Sequence, residues 1–129
     1  MSTKGPKRKI CIVVNSRANY GRVKSVMQAV KDHPDLELQT IIGASALLYR
    51  FGHAVDIIRA DGFEPSATVY SIVEGENPTT MAKSTGMAIM DLSTQFENLA
   101  PDVVLTVADR FETMATAIAA SYMNIPLAD

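Results

Sequence analysis

Apolar residues gather in five short runs, at Ile10 to Val14, Leu36 to Ile42, Ala67 to Ile72, Val103 to Val107 and Ile125 to Ala128. They are too short for buried helices and several are rich in β-branched residues, so each reads as a strand covered on both faces of a parallel sheet. Between the runs the period changes. Val23, Val26, Met27 and Val30 recur at i, i+3, i+4 and i+7, which predicts a helix ending near His33-Pro34 with Arg22, Lys24, Gln28 and Lys31 on its opposite face. Met81, Thr85, Ala88, Leu92, Phe96 and Leu99 keep a helical spacing through Thr79 to Leu99, the longest helix, whose central Gly86 costs about 1 kcal/mol relative to alanine. Ala46 to Gly62 reads as two short helices broken at Gly52, and Glu74 to Pro78 as a polar loop.

The last third organises the rest. Its apolar run stops before Asp109, and Glu112 three residues on completes a capping-box pattern, so a helix is predicted from Arg110. Strand, turn, alanine-rich helix and strand form a βαβ unit, and the whole order is βα, βα, βα, βαβ. The expected fold is α/β: a Rossmann-like parallel sheet with helices on both faces. Ligands of such sheets bind outside the carboxyl ends of the strands. Two turns there hold polar residues: Asn15 to Gly21, with Ser16, Arg17, Asn19 and Tyr20, and the turn carrying Asp109, Arg110 and Glu112. If their strands are neighbours, Arg17 and Arg110 face a diphosphate and Asp109 stands by as a carboxylate base. The same residues also have plain structural readings, Asp109 as a helix cap and Arg17 as a solvated cation, and spacing alone leaves both open.

Composition narrows the function. The chain has 129 residues, 47% hydrophobic and 20% charged, which suits one domain with a sizeable core. A net charge of −2 gives no support to a broad nucleic-acid surface, so an anionic ligand must be held by a few placed groups. Residues 1–8 read as a disordered basic leader. The apolar segment behind them is shorter than the roughly 7 to 15 residues of a secretory core, and no stretch reaches the length of a membrane span. Cys11, the only cysteine, reads as a buried thiol, which with no intrachain disulfide points to the cytoplasm. His33 and His53 have no metal-ligand spacing, and neither G-x-G-x-x-G, a Walker loop nor G-x-S-x-G is present. The seven methionines read mostly as core filler. The sequence stops at Asp129 directly after a strand, where this architecture places a further loop and helix, so a fragment is expected.

Three ordered blocks carry a resemblance: SRANYGRVKSVM after the first strand, YSIVEGE before the long helix, and PDVVLTVADRFETMATAIAASYMNIP. Across about Arg8 to Ala128 the chain resembles the hydrolysing UDP-N-acetylglucosamine 2-epimerases of the sialic-acid-pathway type. The resemblance implies that residues 9–129 are the opening part of the first domain of a two-domain glycosyltransferase-B-type fold, with the active site between the domains. It implies removal of the C2 proton of a UDP-sugar, elimination of UDP to a 2-acetamidoglucal, and hydration to N-acetylmannosamine, with no metal, nicotinamide or other cofactor. Asp109 falls on a catalytic carboxylate, Arg17 on the arginine of the UDP phosphates, Gly21 on a nucleotide contact and Arg110 on a ligand-facing arginine. Asn19 and Glu112 complete the substrate-binding set. The pattern is departed from at Asn19, where many relatives have aspartate, and at Val107-Ala108, which replace His-Gly. The implied partner is a UDP-sugar, with neither nucleic acid nor membrane, and a homo-oligomer stays open for a full-length parent. Two further readings are an epimerase acting on UDP-diacetylbacillosamine and a non-catalytic nucleotide-sugar binding domain.

Overall fold

The computed structural model describes residues 7–43, 54–69, 77–106 and 111–128. Strands β1 (Arg8–Val14), β2 (Leu36–Gly43), β3 (Ala67–Val69), β4 (Val103–Leu105) and β5 (Leu127–Ala128) alternate with helices α1 (Arg17–Asp32), α2 (Ala54–Ala60), α3 (Pro78–Leu99) and α4 (Phe111–Tyr122). They form one sheet in the order β3-β2-β1-β4-β5, and every neighbouring pair is parallel. The expected architecture is therefore present. β1 lies at the centre, with Ile12 opposite Thr40 of β2 on one side and Leu105 of β4 on the other.

Alternation along β1 divides the core. Ile12 and Val14 pack with Tyr20, Val23 and Met27 of α1 and Val55 and Ile58 of α2. Cys11 and Val13 pack on the other face with Ala88, Leu92 and Phe96 of α3 and Ala115 and Ala119 of α4. Both sides of β1 are closed to water, which is why its run is apolar without alternation. α3 starts where local chemistry stops the chain from extending. Asn77 accepts from the Thr80 N–H at 3.0 Å, Thr80 Oγ1 accepts from the Asn77 N–H at 3.2 Å, and Pro78 fills the first helical position. At the far end Ala100 turns left-handed, with φ 48°, and its N–H donates to Phe96 O.

The structure shifts several expected boundaries. β1 opens at Arg8, whose N–H donates to Asp35 O, one residue into the segment assigned to the leader. β5 opens at Leu127 rather than Ile125, because the Ile125 N–H donates to Ala120 O and closes the end of α4. Residues 70–72 and 107 of the third and fourth expected strands, the helix expected before Gly52, and the Asp109 cap lie outside the described residues. Val26, assigned to the packed face of the first helix, is 39% exposed; the buried stripe is Tyr20, Val23, Met27 and Val30. Met81 is likewise exposed, and α3 packs through Ser84, Ala88, Leu92 and Phe96. Met87, Met90 and Met114 are exposed as well, so only Met27 among the described helical methionines is fully buried core filler.

Candidate functional site at the carboxyl ends of β1 and β4

From β1 the chain steps outward through β2 and β3, then returns to the other side of β1 for β4 and β5. The reversal puts a topological switch point at the carboxyl ends of β1 and β4, where sheets of this kind place the crevice that takes ligands. Its β1 side is built from Asn15 to Tyr20. The expected turn there is shorter than the sequence suggests, because α1 begins at Arg17. Ser16 is its N-cap, with Oγ accepting from the Asn19 N–H at 3.1 Å, so Asn19, Tyr20 and Gly21 belong to the helix. No acid stands in this first turn, which leaves the positive end of the helix dipole unneutralised by its own side chains.

Three of the residues expected at the site are described together here, and they divide by face. Arg17 and Gly21, four apart on one face, are exposed. Arg17 makes no hydrogen bond or ion pair with another described residue, and a Cβ on Gly21 meets nothing within 4 Å. Asn19 is only 4% exposed, and its Oδ1 accepts from the Asn15 N–H at 3.3 Å. Its Nδ2 is buried with no partner among the described residues. Asp109 and Arg110 lie outside the described residues; Glu112 falls in the first turn of α4, with its side chain outside the description.

The structure adds residues that sequence reasoning passed over. Thr106 follows β4, next to the end of β1; its N–H donates to Ala128 O at 3.1 Å, while its buried Oγ1 has no partner among the described residues. The available signal was one hydroxyl inside the apolar run Val103 to Val107. Gly43, at the end of β2, has no room for a side chain, because a Cβ would lie 3.0 Å from Asn15 Oδ1 and 3.3 Å from Val69 O.

Tyr20 anchors this end of α1. Its hydroxyl donates to Asp61 Oδ2 at 2.5 Å, Lys24 Nζ stands 3.1 Å from the same oxygen, and its ring meets Phe63 edge-on at 6.5 Å. Near the other end of α1, Lys31 Nζ donates to Gly62 O at 2.7 Å and lies 5.3 Å from the Phe63 ring centre. Gly62, with φ +96°, makes the turn that brings these groups under α1. The Tyr20 bond, then Lys24, hold the Asp61 carboxyl below the usual aspartate range, and burial followed by the Asp61 contact raises the Tyr20 phenol. On the opposite core face, burial pushes the Cys11 thiol up to about 12, so it is an inert packing group at neutral pH.

Known proteins place the chain. The profile of the UDP-N-acetylglucosamine 2-epimerase family matches residues 28–128. The chain is 33% identical over 120 residues to the UDP-N,N'-diacetylbacillosamine 2-epimerase (hydrolyzing) of Legionella pneumophila, covering 93% of itself and 32% of that protein. It is 31% identical over 121 residues to the GDP/UDP-N,N'-diacetylbacillosamine 2-epimerase (hydrolyzing) of Campylobacter jejuni, covering 94% and 31%. It thus spans about a third of the length of these relatives. The same fold is seen in the UDP-GlcNAc 2-epimerase of Neisseria meningitidis bound to UDP-GlcNAc, with TM-score 0.76 and 20% identity over 92% of this chain and 31% of that one. With a match running from within α1 through β5, the chain belongs to the UDP-N-acetylglucosamine 2-epimerase family.

Proposed function

We propose that the protein to which this chain contributes is a hydrolysing 2-epimerase that converts UDP-N-acetylglucosamine and water to N-acetylmannosamine and UDP, feeding sialic-acid-type sugar synthesis. The observation that supports it most is the family match over residues 28–128, which takes in β4, the neighbour of β1, and the Asp109 to Glu112 segment of the sequence. In this reading Asp109 takes the proton from C2 of the sugar as the bond from C1 to the diphosphate oxygen breaks. UDP leaves with the electron pair, and a C1–C2 double bond remains. Water then adds at C1 while C2 regains a proton on the opposite face. Arg17 and Arg110 stabilise the charge that grows on the departing diphosphate, with the free end of α1 behind Arg17.

The test uses the polypeptide as its gene encodes it. Asp109→Asn is expected to abolish UDP release from UDP-N-acetylglucosamine and to leave UDP affinity within a few fold, since only the reacting step needs the base. Arg17→Ala is expected to weaken UDP binding by about 1.5 to 3 kcal/mol, the range for a hydrogen bond to a charged group. Full turnover in Asp109→Asn would return that residue to a helix cap. One second reading has an observation behind it: both relatives above are named for diacetylbacillosamine. Offering both UDP-sugars to the same enzyme and comparing kcat/KM decides between them.

A further inference from the structure

α3 and α4 pack beside each other on one face of the sheet, and the surface they turn outward is partly apolar. On α3, Met87 and Met90 are exposed, Met90 to 72%, on the side away from the buried Ser84, Ala88, Leu92 and Phe96. On α4, Met114 to Tyr122 carries no charged side chain, and Met114, on the side away from the buried Ala115, Ala119 and Ala120, is 63% exposed. Methionine gathered on a surface is a mark of interfaces. Gly86 adds a separate observation. It sits inside α3, where glycine costs stability, yet a Cβ there would meet nothing within 4 Å, so nothing among the described residues uses its small size. A helix lying against that face from outside would use it.

The charges along the stripe choose the occupant. Lys83, Met90 and Glu97 follow at intervals of seven, two helical turns, so they lie along one line about 21 Å long with methionine at its midpoint. Lys83 and Glu97 are both exposed, and neither pairs with another described residue. A twofold axis through Met90 sets α3 antiparallel to its own copy and fixes the register. Lys83 then faces the partner's Glu97, and the symmetry makes this pair twice; Gly86 faces the partner's Thr94, and Met90 meets itself. A surface complementary to itself is what a closed dimer requires. We infer that the outer face of α3 binds a second copy of this chain, antiparallel about Met90, with the uncharged outer face of α4 widening the contact towards the roughly 800 Å² per partner of a stable dimer. The inference stands apart from the epimerase reading and does not depend on it.

Sedimentation equilibrium on the polypeptide as its gene encodes it measures the dimer Kd, and melting temperatures taken well below that Kd report on the monomer. Lys83→Glu alone and Glu97→Lys alone each set like charges against one another twice, so each is expected to raise the Kd about tenfold or more. The double variant restores both pairs with reversed sign and is expected to return close to the wild-type Kd. Gly86→Leu is expected to raise the monomer melting temperature through helix propensity and to weaken the dimer about tenfold or more, an opposition of sign that an effect on folding alone does not produce. A wild type that stays monomeric at every concentration, a dimer that ignores the single charge reversals, or a double variant no tighter than the singles would overturn the inference. So would a Gly86→Leu monomer that melts lower than the wild type, because that face would then be covered by another part of the same polypeptide.

Discussion

Two glycines at the same end of the sheet carry opposite burdens. At Gly43 an added methyl would sit 3.0 Å from Asn15 Oδ1 and 3.3 Å from Val69 O, and the second of these is backbone that cannot swing aside. Gly43→Ala is therefore expected to lose about 1 to 3 kcal/mol, typical of overpacking, and to displace Asn15 from the crevice. Gly21 faces open space in the second turn of α1. Gly21→Ala should gain about 0.5 to 1 kcal/mol from helix propensity alone. If a nucleotide does pass over this backbone, the same variant binds UDP less well while melting higher. Urea denaturation of both variants, with calorimetry on the second, measures these differences; a stabilised Gly43→Ala would refute the packing account. Sequence alone marked Gly21 by its motif and ignored Gly43, because a close approach between strands two and three becomes visible only when their ends are brought together.

At the scale of elements, the strands were legible because burial on both faces leaves an unmistakable apolar run, and their parallel order followed from the helices between them. The helices were legible in period but not in phase. RANYG looked like a turn since four of its five side chains are small or polar, yet the first turn of a surface helix is polar too, and only Tyr20 reveals the buried stripe that continues to Val23, Met27 and Val30. In α3 the exposed Met81 and the buried Ser84 show that hydrophobicity did not choose the packed face; the four-residue repeat Ser84, Ala88, Leu92, Phe96 did, with small residues letting the helix approach the sheet and α4. Phe96, at 1% exposure, is the largest side chain of that repeat. Phe96→Ala is expected to lose about 3 to 5 kcal/mol, and Asn77→Ala, which only removes the cap of the same helix, about 1 kcal/mol. Equal losses in equilibrium unfolding would mean that α3 is held by its end rather than its face.

The described residues form a parallel sheet centred on β1 with helices packed on each face, and the candidate site lies where the strand order reverses between β1 and β4. Besides its buried stripe, the α1 edge of that crevice has a polar tie: Tyr20, the residue after Asn19, and Lys24 both meet Asp61 in the segment following α2. Such a tie has a pH signature. Because the Asp61 carboxyl is held below the ordinary aspartate value of about 3.9, its contribution is present above that value and is lost as pH falls through the folded one. The Tyr20 phenol is raised above its ordinary value of about 10, so its contribution is complete below that pH and is lost as pH rises through the folded value. Stability should thus form a plateau between the two ordinary values with a fall at each edge. Tyr20→Phe removes the shared hydrogen bond, keeps the ring against Phe63, and should lower the plateau while softening both edges. Denaturant midpoints measured across pH for the wild type and Tyr20→Phe check this. Parallel profiles, displaced but identical in shape, would show that the ring alone anchors α1 and that the carboxylate takes no part in holding the crevice.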